Sequence, residues 1–172
     1  MGFFVYFTNL DLVFCFVFFL ISLFADGGRL LSFFNGFVLI SVSLTMAVYH
    51  FFIVPNLRKT NSDYKIYSFP DIVVHYLVPS LVIAHWLVFA DKGRFELYYP
   101  LIWPAALLIY FVALLVRAKF GAVLEHVGSK YPYYFIDLEK LGAKAVMRNV
   151  VAISAAIVAF GYVLLFIDRI LG

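Results

Sequence analysis

Charge is what this sequence has little of. Asp, Glu, Lys and Arg make up only 13% of its 172 residues, against roughly 25% in a typical soluble domain. The net charge of +3 comes from 13 basic and 10 acidic residues. So small and dispersed an excess excludes a nucleic-acid partner, which needs a concentrated basic face. The single cysteine, Cys15, leaves no internal disulfide to staple the chain. Internal repeats and low-complexity linkers are missing, and disorder is excluded because it requires low hydrophobicity with high charge. What is there is apolar: 65% of the chain is hydrophobic and 20% aromatic, with 21 Phe and 12 Tyr. No soluble fold of this length has interior enough to hide that surface. A free-standing soluble enzyme is therefore excluded, and the composition is that of a membrane protein.

A helix needs about 20 apolar residues to cross the hydrocarbon core. Five runs qualify, at 3–24, 30–54, 69–90, 100–116 and 149–167. Backbone groups in lipid must pair internally, so each run is predicted to be α-helical. The expected fold is an all-α integral membrane protein. It is one transmembrane domain over 1–172, a bundle of about five transmembrane helices with an aromatic-rich surface segment between the fourth and fifth. Ala25-Asp26-Gly27-Gly28-Arg29 reads as a turn, and Pro55 is expected to end the second helix. Ser68-Phe69-Pro70-Asp71 is a helix start signal with Ser68 as cap. Pro100 and Pro104 fit the first turns of the fourth helix. The first run lacks a basic leader, is too long for a cleaved signal peptide and carries Thr8, Asn9 and Asp11. Without Ser or Thr at position six, the start does not fit myristoylation. Arg58, Lys59, Lys65, Arg117, Lys119, Lys130, Lys140, Lys144 and Arg148 outnumber Arg29, Lys92, Arg94 and Arg169 on the other side. That bias places the N-terminus in the cytoplasm.

Ionisable groups at membrane depth are candidate functional groups. Thr8, Asp11, Cys15 and Ser22 recur at helical spacing on one stripe. Asp71, His75 and Pro79 do the same four residues apart, and Pro79 has no N–H to offer the His75 carbonyl. At 1.5 Å rise per residue, Thr8 and His75 both sit roughly 8–9 Å below the same surface. Tyr49 and His50 lie near that end of the second helix, and residues 131–137 return over it. His85 is about 15 Å deeper. A hydroxyl beside an imidazole is the minimum for nucleophilic acyl transfer, because the imidazole takes the proton as the oxygen attacks. Asp71 or Asp11 would orient the ring. Asn9, His50, Tyr131, Tyr134 and Asp137 complete the expected pocket, which opens sideways to lipid and suits an acyl-chain substrate. No cofactor and no metal is expected.

Structural readings stand beside these. Thr8 back-bonds to its own helix, His75 is an interhelical donor, and Asp71 only partners Ser68. Tyr49 and His50 are interfacial anchors, His126 is solvated, and Arg117 and Lys119 snorkel. Ala152, Ala155, Ala156, Ala159 and Gly161 form a packing face on the last helix. Other function classes are a haem-binding electron carrier using His50 and His75 at one level, a transporter or a scaffold. A metal site from His50, His75 and Asp11 carries no metal signature in its spacing.

Tyr6-Phe7-Thr8-Asn9-Leu10, Val48-Tyr49-His50 and Val74-His75-Tyr76-Leu77-Val78-Pro79 together resemble a known family. So does Tyr131-Pro132-Tyr133-Tyr134-Phe135-Ile136-Asp137 with Gly142. The family is the androgen-induced and androgen-dependent transmembrane proteins with their bacterial six-span relatives, and the resemblance runs in order over nearly the whole chain. The animal members are threonine hydrolases that cleave fatty acid esters of hydroxy fatty acids. The resemblance implies Thr8 as nucleophile, His75 as base, membrane lipids and a lipid ester as partners, and a bacterial plasma membrane as location. This chain departs from the family in three places. It looks like a five-span version lacking a first helix, which would put its start outside and conflicts with the charge count. The His85 position is usually acidic in the bacterial branch. His75 precedes Pro79 by four residues where the animal proteins have five, leaving His50 as a spare base.

Overall fold

The computed structural model describes residues 5–25, 27–60, 65–125 and 127–172. Among the described residues, five helical rods carry the fold: α1 (Phe7–Ser22), α2 (Arg29–Thr60), α3 (Phe69–Phe89), α4 (Tyr99–Phe120) and α5 (Ala143–Leu171). Helices α2 to α5 are each long and apolar enough to cross a membrane. The 16 residues of α1 span about 24 Å, slightly less than the hydrocarbon core of about 30 Å. The protein is an all-α integral membrane bundle, as its composition requires. Among the described residues, the one extended pairing is an isolated bridge between Leu124 and Ser129.

Pro55 does not end α2. The helix widens into a π-turn at Tyr49–Ile53, where the Val54 N–H reaches the Tyr49 carbonyl, and then runs on to Thr60. Proline lacks an N–H and crowds the preceding turn; one wider turn absorbs it without breaking the rod. The same device precedes Pro79, with a π-turn at Val73–Leu77 closed by the Val78 N–H on Val73. Helix α5 begins at Ala143, well before the apolar run starts. Its first turns are amphipathic, with Val146 and Val150 buried between exposed Lys144, Met147 and Arg148, so a search for continuous apolar residues passes over them. The Ser68 side chain makes no capping bond to backbone. Its hydroxyl donates to the Asp71 carboxylate at 2.9 Å instead.

Helix α2 is the central rod, in contact with α1, α3 and α5. Around it Val38, Leu39, Trp86, Phe95 and Trp103 form the main core. A Cβ on Gly36 would come within 2.2 Å of the Trp103 ring, so only glycine lets that indole lie against α2. The expected alanine face of α5 is not its packing face. Ala152, Ala155, Ala156 and Ala159 are exposed, while Gly161 is buried against Pro100 and Ile40. Small size permits close approach, but the bulkier Ile157, Leu164 and Leu165 supply the buried surface. Far from the candidate site, the fully buried Asp168 carboxylate accepts the Phe95 N–H at 2.9 Å and ties α5 to the α3–α4 loop.

Candidate functional site

The start of α1, the two π-turns and residues 131–137 enclose a cavity of about 980 Å³. The π-turns set its polar wall. They bring the Tyr49 and His75 rings face to face, with centroids 3.7 Å apart and planes within 9°. Tyr49 is therefore a buried stacking partner and no interfacial anchor.

Asp71 holds the other edge of His75. The ring Nδ1 lies 3.1 Å from the Asp71 backbone carbonyl and 3.9 Å from its carboxylate. A carbonyl only accepts, so Nδ1 carries the hydrogen and Nε2 is left as the basic nitrogen. The orienting group expected of Asp71 is thus its main chain. Its carboxylate is the partner of Ser68 and sits beside the imidazole without bonding it.

Thr8 is the second residue of α1, half-buried on the cavity wall, and α1 packs against the Val73–Leu77 π-turn. A helix start leaves its first N–H groups without partners. Here the Phe7 N–H donates to the Tyr133 phenol oxygen at 2.9 Å, and the Tyr110 hydroxyl donates to the Val5 carbonyl at 2.6 Å. The Tyr133 hydroxyl is also in hydrogen-bonding contact with the Thr8 side chain. Burial pushes the Tyr133 phenol up to about 12 and raises that of Tyr131, so both stay protonated at neutral pH.

The aromatic segment packs over the cavity, as expected from its composition. Residues 131–137 all line it. Arg117 donates to the Lys130 and Ala122 carbonyls at 2.5 and 3.0 Å, and Asn149 to the Phe135 carbonyl at 2.7 Å. The buried Asp137 organises the flap from within, accepting the Ser129 hydroxyl at 2.7 Å and the Lys140 N–H at 3.0 Å. Both its oxygens are engaged, so its part is to shape the wall. Asn9, Tyr131 and Tyr134 line the same space.

Two expected members stand apart. The buried Asp11 carboxylate accepts the Thr45 hydroxyl from α2 and is not on the cavity wall, so it does not orient His75. His50 is exposed, pairs through Nδ1 with the Tyr76 hydroxyl at 3.0 Å and also lies off that wall. It is no spare base there, because one residue along a helix turns the side chain about 100° away from Tyr49. Among the described residues no three His, Cys, Asp or Glu side chains gather around a possible metal, so His50, His75 and Asp11 do not form a joint site. His126 lies outside the described residues.

Sequence reasoning missed the roles of Tyr133, Tyr110 and Thr45. Tyr110 was visible as a hydroxyl within an apolar run, and Thr45 stands one turn before Tyr49. Neither pattern names a partner on a distant element. Comparison with known proteins finds no match: no family model, curated protein or solved structure corresponds to this chain.

Proposed function

We propose that this protein is an intramembrane threonine hydrolase of lipid esters, with fatty acid esters of hydroxy fatty acids as the substrate class its family resemblance implies. The observation that carries the reading is the placement of Thr8 and His75 on the walls of one large, mostly apolar-lined cavity, with His75 Nδ1 already engaged. In the reaction the Thr8 hydroxyl oxygen bonds to the ester carbonyl carbon while its proton passes to His75 Nε2. The carbonyl pair moves onto oxygen. Collapse breaks the bond to the alcohol, which leaves with the proton from His75. Water then attacks the acyl-Thr8 ester by the same route, releasing the acid and restoring the threonine hydroxyl. The Lys and Arg distribution supports a cavity in the cytoplasmic leaflet, in a bacterial plasma membrane by the same resemblance.

The test is labelling of the purified protein with a fluorophosphonate, alongside hydrolysis of a lipid ester in detergent. Label on Thr8, lost in Thr8→Ala, is the expected result. An unlabelled Thr8, with full hydrolysis by a well-folded Thr8→Ala variant, overturns the reading.

A further inference from the structure

We infer that Tyr133 is a catalytic residue of this reaction, its phenol donating a hydrogen bond to the oxyanion that forms as Thr8 attacks. The inference rests on the hydrolase reading and adds a group that neither the resemblance nor the spacing of motifs assigns. Attack on an ester places negative charge on the former carbonyl oxygen, and a preorganised donor there is commonly the largest single electrostatic contribution to such catalysis.

Hydrogen-bond accounting at the start of α1 identifies the donor. The Tyr110 proton is committed to the Val5 carbonyl. The Phe7 N–H is committed to the Tyr133 oxygen. With the Tyr110 proton spent, Tyr133 is the donor in its contact with Tyr110, and its contact with Thr8 puts that same proton within one O–H rotation of the Thr8 oxygen. Thr8 Oγ and the developing oxyanion are attached to the same carbon, so a donor held at one reaches the other by rotation of a single O–H bond. The hydrogen bond donated by the Phe7 N–H polarises the phenol and strengthens it as a donor in turn. The ring itself is fixed by stacking on Phe135 at 5.4 Å and by an edge contact with Tyr6 at 6.1 Å. Burial keeps the phenol protonated through neutral pH. Tyr133 retains its proton throughout, so the proton balance of Thr8 and His75 is unchanged.

The experiment compares wild type, Tyr133→Phe and Asn149→Ala in detergent, using an ester and the matching thionoester, in which sulfur replaces the carbonyl oxygen. Tyr133→Phe keeps the stacked ring and deletes the donor. Its kcat on the ester should fall about 10²-fold with little change in KM. Its preference for ester over thionoester should collapse, because sulfur is the poorer acceptor. Asn149→Ala loosens the flap at Phe135 and should leave that preference as in wild type. Unchanged kcat in Tyr133→Phe overturns the inference, and so does a reduced kcat with the wild-type preference retained, which would mark a structural role. If Tyr133→Phe fails to fold, a fluorinated tyrosine at 133 alters phenol acidity without altering shape. A kcat that moves at constant KM supports the inference, and an unmoved kcat overturns it. A wild-type protein without Thr8-dependent hydrolysis fails the underlying reading, whereas Thr8-dependent hydrolysis that ignores Tyr133 fails this inference alone.

Discussion

The Tyr49 ring lies flat against the His75 imidazole, 3.7 Å between centroids, and each residue belongs to a π-turn that precedes a proline. The stack fixes the ring plane while the Asp71 carbonyl fixes Nδ1, so two contacts from different helices determine where Nε2 lies. Tyr49→Leu removes the flat surface and frees the ring to rotate, whereas Tyr49→Phe retains it. Misplacing a base by an ångström is costly, so Tyr49→Leu should lose at least about tenfold in kcat and Tyr49→Phe far less. Steady-state hydrolysis with a melting control checks this. Equal rates in the two variants would show that the stack does not position the base.

Thr8 and His75 should behave as one unit. Thr8→Ala and His75→Ala are each expected to remove most activity, and the double variant should be little worse than either, since groups that act together are non-additive. Asp71→Asn keeps both the carbonyl on Nδ1 and an acceptor for Ser68, so its loss should stay under about tenfold. A large loss in Asp71→Asn would instead make the carboxylate the orienting group, despite its 3.9 Å separation from Nδ1.

How much of this was legible in the sequence depended on the range of the interaction. Apolar runs located all five helices, because burial in lipid is a one-dimensional constraint. The helical spacing of Asp71, His75 and Pro79 located the polar wall, because Asp71 and His75 meet within one turn. Asp11 was misread for the complementary reason. Its stripe was correctly predicted to face protein, but the partner, Thr45, lies on another helix, and no local pattern shows how two rods rotate against each other. The alanines of α5 failed in the same way. Residues 131–137 were legible as a flap from their aromatic content, while the bond between Tyr133 and the Phe7 N–H joins positions 126 residues apart.

The Asp11–Thr45 pair docks α1, which carries Thr8, against α2. Thr45→Val preserves shape and takes one donor from the buried carboxyl, leaving it the Ser41 hydroxyl, which should cost about 1–3 kcal/mol. Replacing both groups, as in Asp11→Leu with Thr45→Val, should therefore recover stability relative to Thr45→Val alone. Thermal unfolding in detergent measures the cycle. Additive losses would mean that the two side chains are not coupled.

Asp137 should be the flap's weak point. Asp137→Ala orphans the Ser129 hydroxyl and the Lys140 N–H together, at about 1–3 kcal/mol. Amide exchange across residues 129–141 should accelerate, while the centre of α2 around Leu39 stays protected. Uniform acceleration through the bundle would show that the flap does not open as a separate unit.

Alkaline pH, read as a difference between wild type and a Tyr133 variant, provides a further test of the flap. The Tyr133 phenol is raised to about 12, chiefly by burial, against about 10 in an unfolded chain. Between those values the opened flap releases the proton and the closed flap keeps it. The closed state therefore has its full stability below about pH 10 and loses it as pH rises through about 12. Tyr133→Phe removes the titrating group, so its flap opening should depend less steeply on pH across that window. Amide exchange at residues 129–137, followed in wild type and variant, reads the difference between the two slopes and cancels the other tyrosines and lysines that titrate there. Parallel pH dependence in both proteins would mean that the Tyr133 phenol is already hydrated in the closed state, and that the flap does not hold it out of water.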